Sequence, residues 1–200
     1  MDIGKYVHDA IEKYYKNNFL INGNANDILI KTYANLKKIW DITLPPEALA
    51  KAYQCLTHHA EWEYSNRTNG MSHRPIAELE HDGAGYYGFI DYIDLDNEKV
   101  IDWKTNTWPV LSYEYRMQAH VYRELYEDKF GKKLSHLYFF FLHPNEWRTV
   151  AFDKEKQIEV GKDVENLREK ILNKEYPKEP RTKSECKNCL YKFYCKVLKI

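Results

Sequence analysis

A mixed α/β domain is the fold class this sequence predicts, and three observations predict it. Hydrophobic spacings of three and four residues dominate the first third. Short β-branched and aromatic segments then follow one another between residues 75 and 105, and helical spacing returns before a second group of apolar strands. With 200 residues, 44% of them hydrophobic and 30% charged, the chain has the balance of one folded water-soluble domain. That balance disfavours both disorder and membrane insertion.

Residues 6–19 place Val7, Ile11, Tyr14 and Tyr15 near one helical face. A Gly23 and Asn-rich break precedes a second helical pattern at 27–40. Pro45 and Pro46 then open a third helix, reaching about residue 64 and carrying Cys55, His58 and His59, with a loop at 66–72. Residues 75–81, 86–95 and 99–105 read as a three-strand meander joined by Gly-containing and Asp-Asn turns. Residues 112–129 are helical. The run 134–142 has the near-continuous apolar character of a strand buried on both faces, 147–152 is its partner, and 155–173 is a charged amphipathic helix. The reading is one domain over 1–200: a helical region (1–72), a core (73–173) and a cysteine-rich tail (174–200).

Basic and acidic residues balance at 30 each, so no global field attracts nucleic acid. From residue 174 onward, however, eight basic residues stand against three acidic ones. The longest apolar stretch, LYFFFL at 137–142, is far too short to cross a bilayer, and the N-terminal segment has no signal-peptide core, so a cytoplasmic protein with no membrane partner is expected.

The chemistry concentrates on two apolar strands that each carry an acid: Asp91 in GFIDYID and Asp102 in VIDWKT. A carboxylate in mid-strand is costly unless paired or bound to metal. Asp102 and Lys104 are two apart and so share a face, while Ile101 and Trp103 point the other way. A hard divalent cation takes oxygen ligands, here Asp91, Asp102 and the Trp103 carbonyl, and Lys104 then reaches a metal-bound water. An isolated D-x-K is usually only a structural ion pair. Glu78 and Glu80, on the preceding strand, have the spacing of outer acids but read as surface decoration and are left out of the catalytic set.

Three tail cysteines, Cys186, Cys189 and Cys195, form C-x2-C-x5-C, a soft-ligand pattern that selects zinc or an iron–sulfur cluster. Cys55 is the only other cysteine and therefore the expected fourth thiolate, with His59 the alternative if the metal is zinc.

The chain resembles the RecB-like branch of the PD-(D/E)xK nucleases. That branch's pattern is G-x-x-x-H, G-x-x-D, V-I-D-x-K-T and Q-x-x-x-Y. This sequence has Gly4 to His8, Gly88 to Asp91, Val100 to Thr105 and Gln118 to Tyr122, in that order. The tail is similar to that of the iron–sulfur members, including AddB and the fourth CRISPR-associated family. The resemblance implies a restriction-endonuclease-like mixed sheet flanked by helices, with the tail stapled by a [4Fe–4S] cluster. It also implies His8 as a metal ligand, Gln118 and Tyr122 as DNA contacts, and Mg²⁺ or Mn²⁺ as the catalytic ion. The implied activity is DNA phosphodiester hydrolysis, favouring single strands or strand ends, with recombination or CRISPR-adaptation proteins as partners. A non-catalytic DNA-binding adaptor and a structure-specific endonuclease are the alternatives.

Overall fold

The computed structural model describes residues 3–18, 45–68 and 76–175. The expected helix at 27–40 and the tail cysteines lie outside the described residues. Helix α1 (Ile3–Asn18) turns Tyr6, Val7, Ala10, Ile11, Tyr14 and Tyr15 inward, the i, i+4, i+8 stripe of an amphipathic helix. Helix α2 (Pro46–Thr68) starts on Pro46, whose missing N–H costs nothing in the first turn. It runs through residues 66–68, which the sequence reading assigned to a loop.

The strands are β1 (Ile76–Gly83), β2 (Tyr86–Asp94), β3 (Lys99–Lys104), β4 (His136–Phe141) and β5 (Glu146–Ala151), lying side by side in that order. The first three form the expected antiparallel meander, β3 and β4 are parallel, and β4 and β5 close as a hairpin. A parallel pair needs a long crossover, and helix α3 (Tyr113–Phe130) supplies it. Ser112 caps its start by accepting from the Tyr115 N–H, and Gly131 ends it in the left-handed region at φ 63°. Between β1 and β2, Ala84 (φ 51°) and Gly85 (φ 78°) make a two-residue turn with both central φ values positive, as type I′ hairpins require.

Two hydrophobic layers cover the sheet. On one face α1 and α2 pack over Tyr92, Ile101, Trp103, Phe140 and Leu142. On the other, Ala119, Tyr122, Leu125 and Tyr126 of α3 pack over Ile90, Ile93, Val100, Phe139 and Phe141. The two-sided burial of β4 explains its unbroken apolar run: Phe140 serves the first layer, Phe139 and Phe141 the second. Gly88 lies where α3 approaches the hairpin, and a Cβ there would sit 3.2 Å from Leu125 Cδ1. Helix α4 (Glu155–Leu172) follows β5. The chain divides within it into two compact units, 1–161 and 162–200. No described helix is long and apolar enough to cross a membrane.

Candidate active site

The β2–β3 ladder stops at the pair Tyr92–Ile101. Just beyond, a side chain replaces the missing ladder bond: Asp91 Oδ2 accepts from the Trp103 N–H at 2.8 Å. The Trp103 carbonyl in turn accepts from His8 Nε2 at 2.9 Å, and His8 Nδ1 lies 3.6 Å from Asp91 Oδ2. Both polar ends of one buried residue's backbone thus orient a histidine from α1 and an aspartate from β2. The Trp103 indole, fully buried in the α1/α2 layer, holds that backbone in place.

Asp102 points to the α3 side of β3 and pairs with Lys104 at 2.6 Å. The ammonium also donates to Gln118 Oε1 at 2.8 Å and sits 4.5 Å from the centre of the Tyr115 ring. Gln118 Nε2 donates to Tyr122 OH at 3.0 Å. Gln118 and Tyr122 share one face of α3, as their spacing predicts, and both are engaged with one another and with Lys104.

A third acid joins them. Ligand atoms of His8, Glu78 and Asp91 all lie within 4.8 Å of one another. Glu78 is in the left-handed region at φ 50° in the middle of β1, a conformation costing roughly 1–2 kcal/mol for a side-chain-bearing residue. Its ladder neighbours pair normally, Ala77 with Tyr92 and Leu79 with Ile90, while Glu78 and Asp91 leave a gap. Alternation slips there. Ile90 and Ile93, three apart, both join the α3-side layer, whereas an unbroken strand would turn them to opposite faces. The sequence reading set Glu78 aside as surface decoration. The overlooked signal was register: the two-residue turn pairs Gly83 with Tyr86, and counting back puts residue 78 opposite Asp91.

The family model of the PD-(D/E)XK nuclease superfamily matches residues 1–196. The chain belongs to that superfamily. No curated protein matches it. Among solved structures, the crystal structure of SSO0001 aligns at 14% identity over 98% of this chain and 97% of that one, with a TM-score of 0.38.

The donor set fits the divalent cations that PD-(D/E)XK nucleases use. Burial, then the Asp91 charge, pushes both Glu78 and Asp102 up to about 7. Burial lowers the basicity of His8, but the carboxylates of Asp91, Asp102 and Glu78 outweigh it and raise the imidazole to about 9. Mutually repelling acids held together out of water favour a positive partner, and a hard cation bound by oxygens and one nitrogen would supply it. In this nuclease Cys55 is fully buried in the α1/α2 layer, and burial pushes its thiol up to about 11. That is the state of a core-packing cysteine. His59 is likewise buried, its ring nitrogen 3.2 Å from Tyr15 OH and its basicity lowered by burial to about 3.

Proposed function

We propose that this nuclease hydrolyses DNA phosphodiesters with Mg²⁺ or Mn²⁺ held by His8, Glu78, Asp91 and Asp102, and that single strands or strand ends are its substrate. The observation that carries this reading is the convergence of His8, Glu78 and Asp91 beside the Asp102–Lys104 pair. A bound divalent cation polarises the phosphoryl oxygen and lowers the pKa of an attacking water. The Trp103 backbone clamps His8 and Asp91, so the ligands are oriented before any ion arrives. Lys104, paired with Asp102 at 2.6 Å, supports the charge that builds on the phosphate in the transition state. Gln118 acts as a positioning residue. Its carboxamide oxygen keeps the ammonium on the substrate side of Asp102, and Tyr122 fixes the orientation of that carboxamide.

The Trp103 carbonyl, read from sequence as a third ligand, serves equally well as the His8 anchor. For the tail, the proposal is a soft-metal site on Cys186, Cys189 and Cys195, an iron–sulfur cluster with Cys55 as the remaining thiol or zinc in its place. Recombination or CRISPR-adaptation proteins remain the proposed partners.

The test is incubation of linear and circular single-stranded DNA with Mg²⁺ or Mn²⁺. Degradation of linear strands with circles intact supports end processing, cutting of circles supports an endonuclease, and no cleavage of either with either ion defeats the reading.

A further inference from the structure

The most exposed large apolar side chain among the described residues is Trp108, at 79%. It stands in the loop 105–111 joining Lys104 to the helix that carries Gln118 and Tyr122. No described residue stacks on its indole, places a cation over it or hydrogen-bonds to it. The loop beneath it is firmly tied. Asn106 Oδ1 accepts from Tyr115 OH at 2.8 Å, and Thr107 Oγ1 from Lys51 Nζ at 3.0 Å. Two successive γ-turns follow, Val110 N–H to the Trp108 carbonyl and Ser112 N–H to that of Val110. Held on a braced loop, the exposed indole presents its ring face to solvent, where it is available for stacking.

Beside it lies a group of basic and amide side chains. Lys51, Gln54 and His58 recur at i, i+3 and i+7, one face of α2. Gln54 donates to the His143 carbonyl at 3.3 Å, and His58 Nδ1 to that of Leu142 at 2.6 Å. Burial first, then the nearby charges of Lys51 and His58, lowers the basicity of His143, which places all three together. Among the described residues none of these three is ion-paired. Glu146, in the adjoining strand, is held by Arg148 at 2.6 Å. An aromatic face beside the Lys51 ammonium and two imidazoles matches the two recurring parts of single-strand nucleic-acid sites: a stacking platform for the base, and positive charge with N–H donors for the phosphates.

We propose that Trp108 stacks on an unpaired base of the DNA substrate while Lys51, His58 and His143 receive its phosphates, forming a track that leads into the metal site. This rests on the nuclease reading above and specifies its substrate as single-stranded, because a paired base does not offer its face to an indole. Trp108 is four positions along the chain from Lys104, so their Cα atoms are at most about 14 Å apart. The stacked base therefore lies within a few nucleotides of the cut.

The experiment measures Kd by fluorescence anisotropy in Ca²⁺ for an oligodeoxythymidylate, intact or with one abasic nucleotide stepped along it. Wild-type protein should lose affinity about 5- to 100-fold when the abasic unit reaches one position, and not at the others. Trp108→Ala should bind the intact strand as weakly and lose the position dependence, whereas Trp108→Phe should keep most of both. The Lys51→Ala/His143→Ala double variant should bind more weakly and with a shallower salt dependence. A flat abasic scan in wild type overturns the proposal. So does a Trp108→Ala protein with unchanged Kd, and if that protein also loses an oligomeric state, the indole is a contact between copies. Failure of the nuclease reading is separate and appears as no Mg²⁺- or Mn²⁺-dependent cleavage whatever the Kd values.

Discussion

Glu78 and Asp91 face each other across the single gap in the β1–β2 ladder, and the left-handed backbone at Glu78 opens that gap. The strain turns a strand carboxylate out of its alternating position and brings it within 4.8 Å of Asp91 and His8. A structural cost of this kind persists where the surrounding fold over-determines it, and such sites cluster where chemistry is done.

Two substitutions separate the cost from the function. Glu78→Ala removes the carboxylate but keeps a Cβ in the left-handed region. Glu78→Gly removes both and relieves the strain. The glycine variant should therefore be more stable than the alanine one by about 1 kcal/mol, while both bind Mn²⁺ about 10- to 100-fold more weakly than wild type. Denaturant melts and metal titration calorimetry would show it. Equal metal affinity in all three proteins would remove Glu78 from the ligand set.

Asp102, Lys104 and Gln118 form a bonded series, so their losses should not add. Lys104→Ala should cut cleavage about 10²-fold or more with metal affinity retained. Asp102→Ala should lose both. Gln118→Ala should lower kcat with KM nearly unchanged, and adding it to Lys104→Ala should cost little further. Single-turnover rates on a labelled oligonucleotide give the comparison. Near wild-type cleavage by Asp102→Ala would end the catalytic assignment.

The pH profile follows from the raised groups. Metal binding needs His8 neutral and Glu78 and Asp102 ionised, yet the free site holds its protons up to about 9 for the histidine and about 7 for the acids. Cleavage at sub-saturating Mn²⁺ should therefore climb from pH 6 to pH 9, and saturating metal should shift the rise to lower pH. A profile that is flat over this range, or unmoved by metal concentration, contradicts the assignment.

Stability without metal carries the same signature. His8 is raised from 6.5 in the unfolded chain to about 9 when folded, so the native state binds the extra proton. Its contribution is fully present below 6.5 and is lost as pH rises through 9. The metal-free protein should lose on the order of 2 kcal/mol between pH 7 and pH 9, and His8→Gln should flatten that slope. Mn²⁺ at pH 9 should restore stability by binding only the folded state.

For the tail, anaerobically purified protein should carry iron and sulfide that Cys189→Ser removes. Cys55→Ala tests the fourth thiol separately. Retained iron in that variant would assign Cys55 to packing alone, and stoichiometric zinc in wild type would replace the cluster with the alternative metal.

The sequence by itself determined much of this protein. Hydrophobic periodicity located the described helices and all five strands, because burial on one face imposes a period of 3.6 or 2 on whatever sequence occupies it. The pairing of Asp102 with Lys104 was legible because two residues along a strand share a face, and that of Gln118 with Tyr122 because four along a helix do. Tertiary structure decided three things that spacing cannot carry. It brought His8 to the Trp103 carbonyl across 95 residues of chain. It turned Gln118 and Tyr122 inward to hold Lys104. It also brought Glu78, expected at the surface, within 4.8 Å of His8 and Asp91, since a positive φ in mid-strand breaks the alternation that fixes side-chain direction. Periodic patterns report which face of an element is buried. Convergence between elements depends on register and packing, and one strained residue is enough to change which side chains meet.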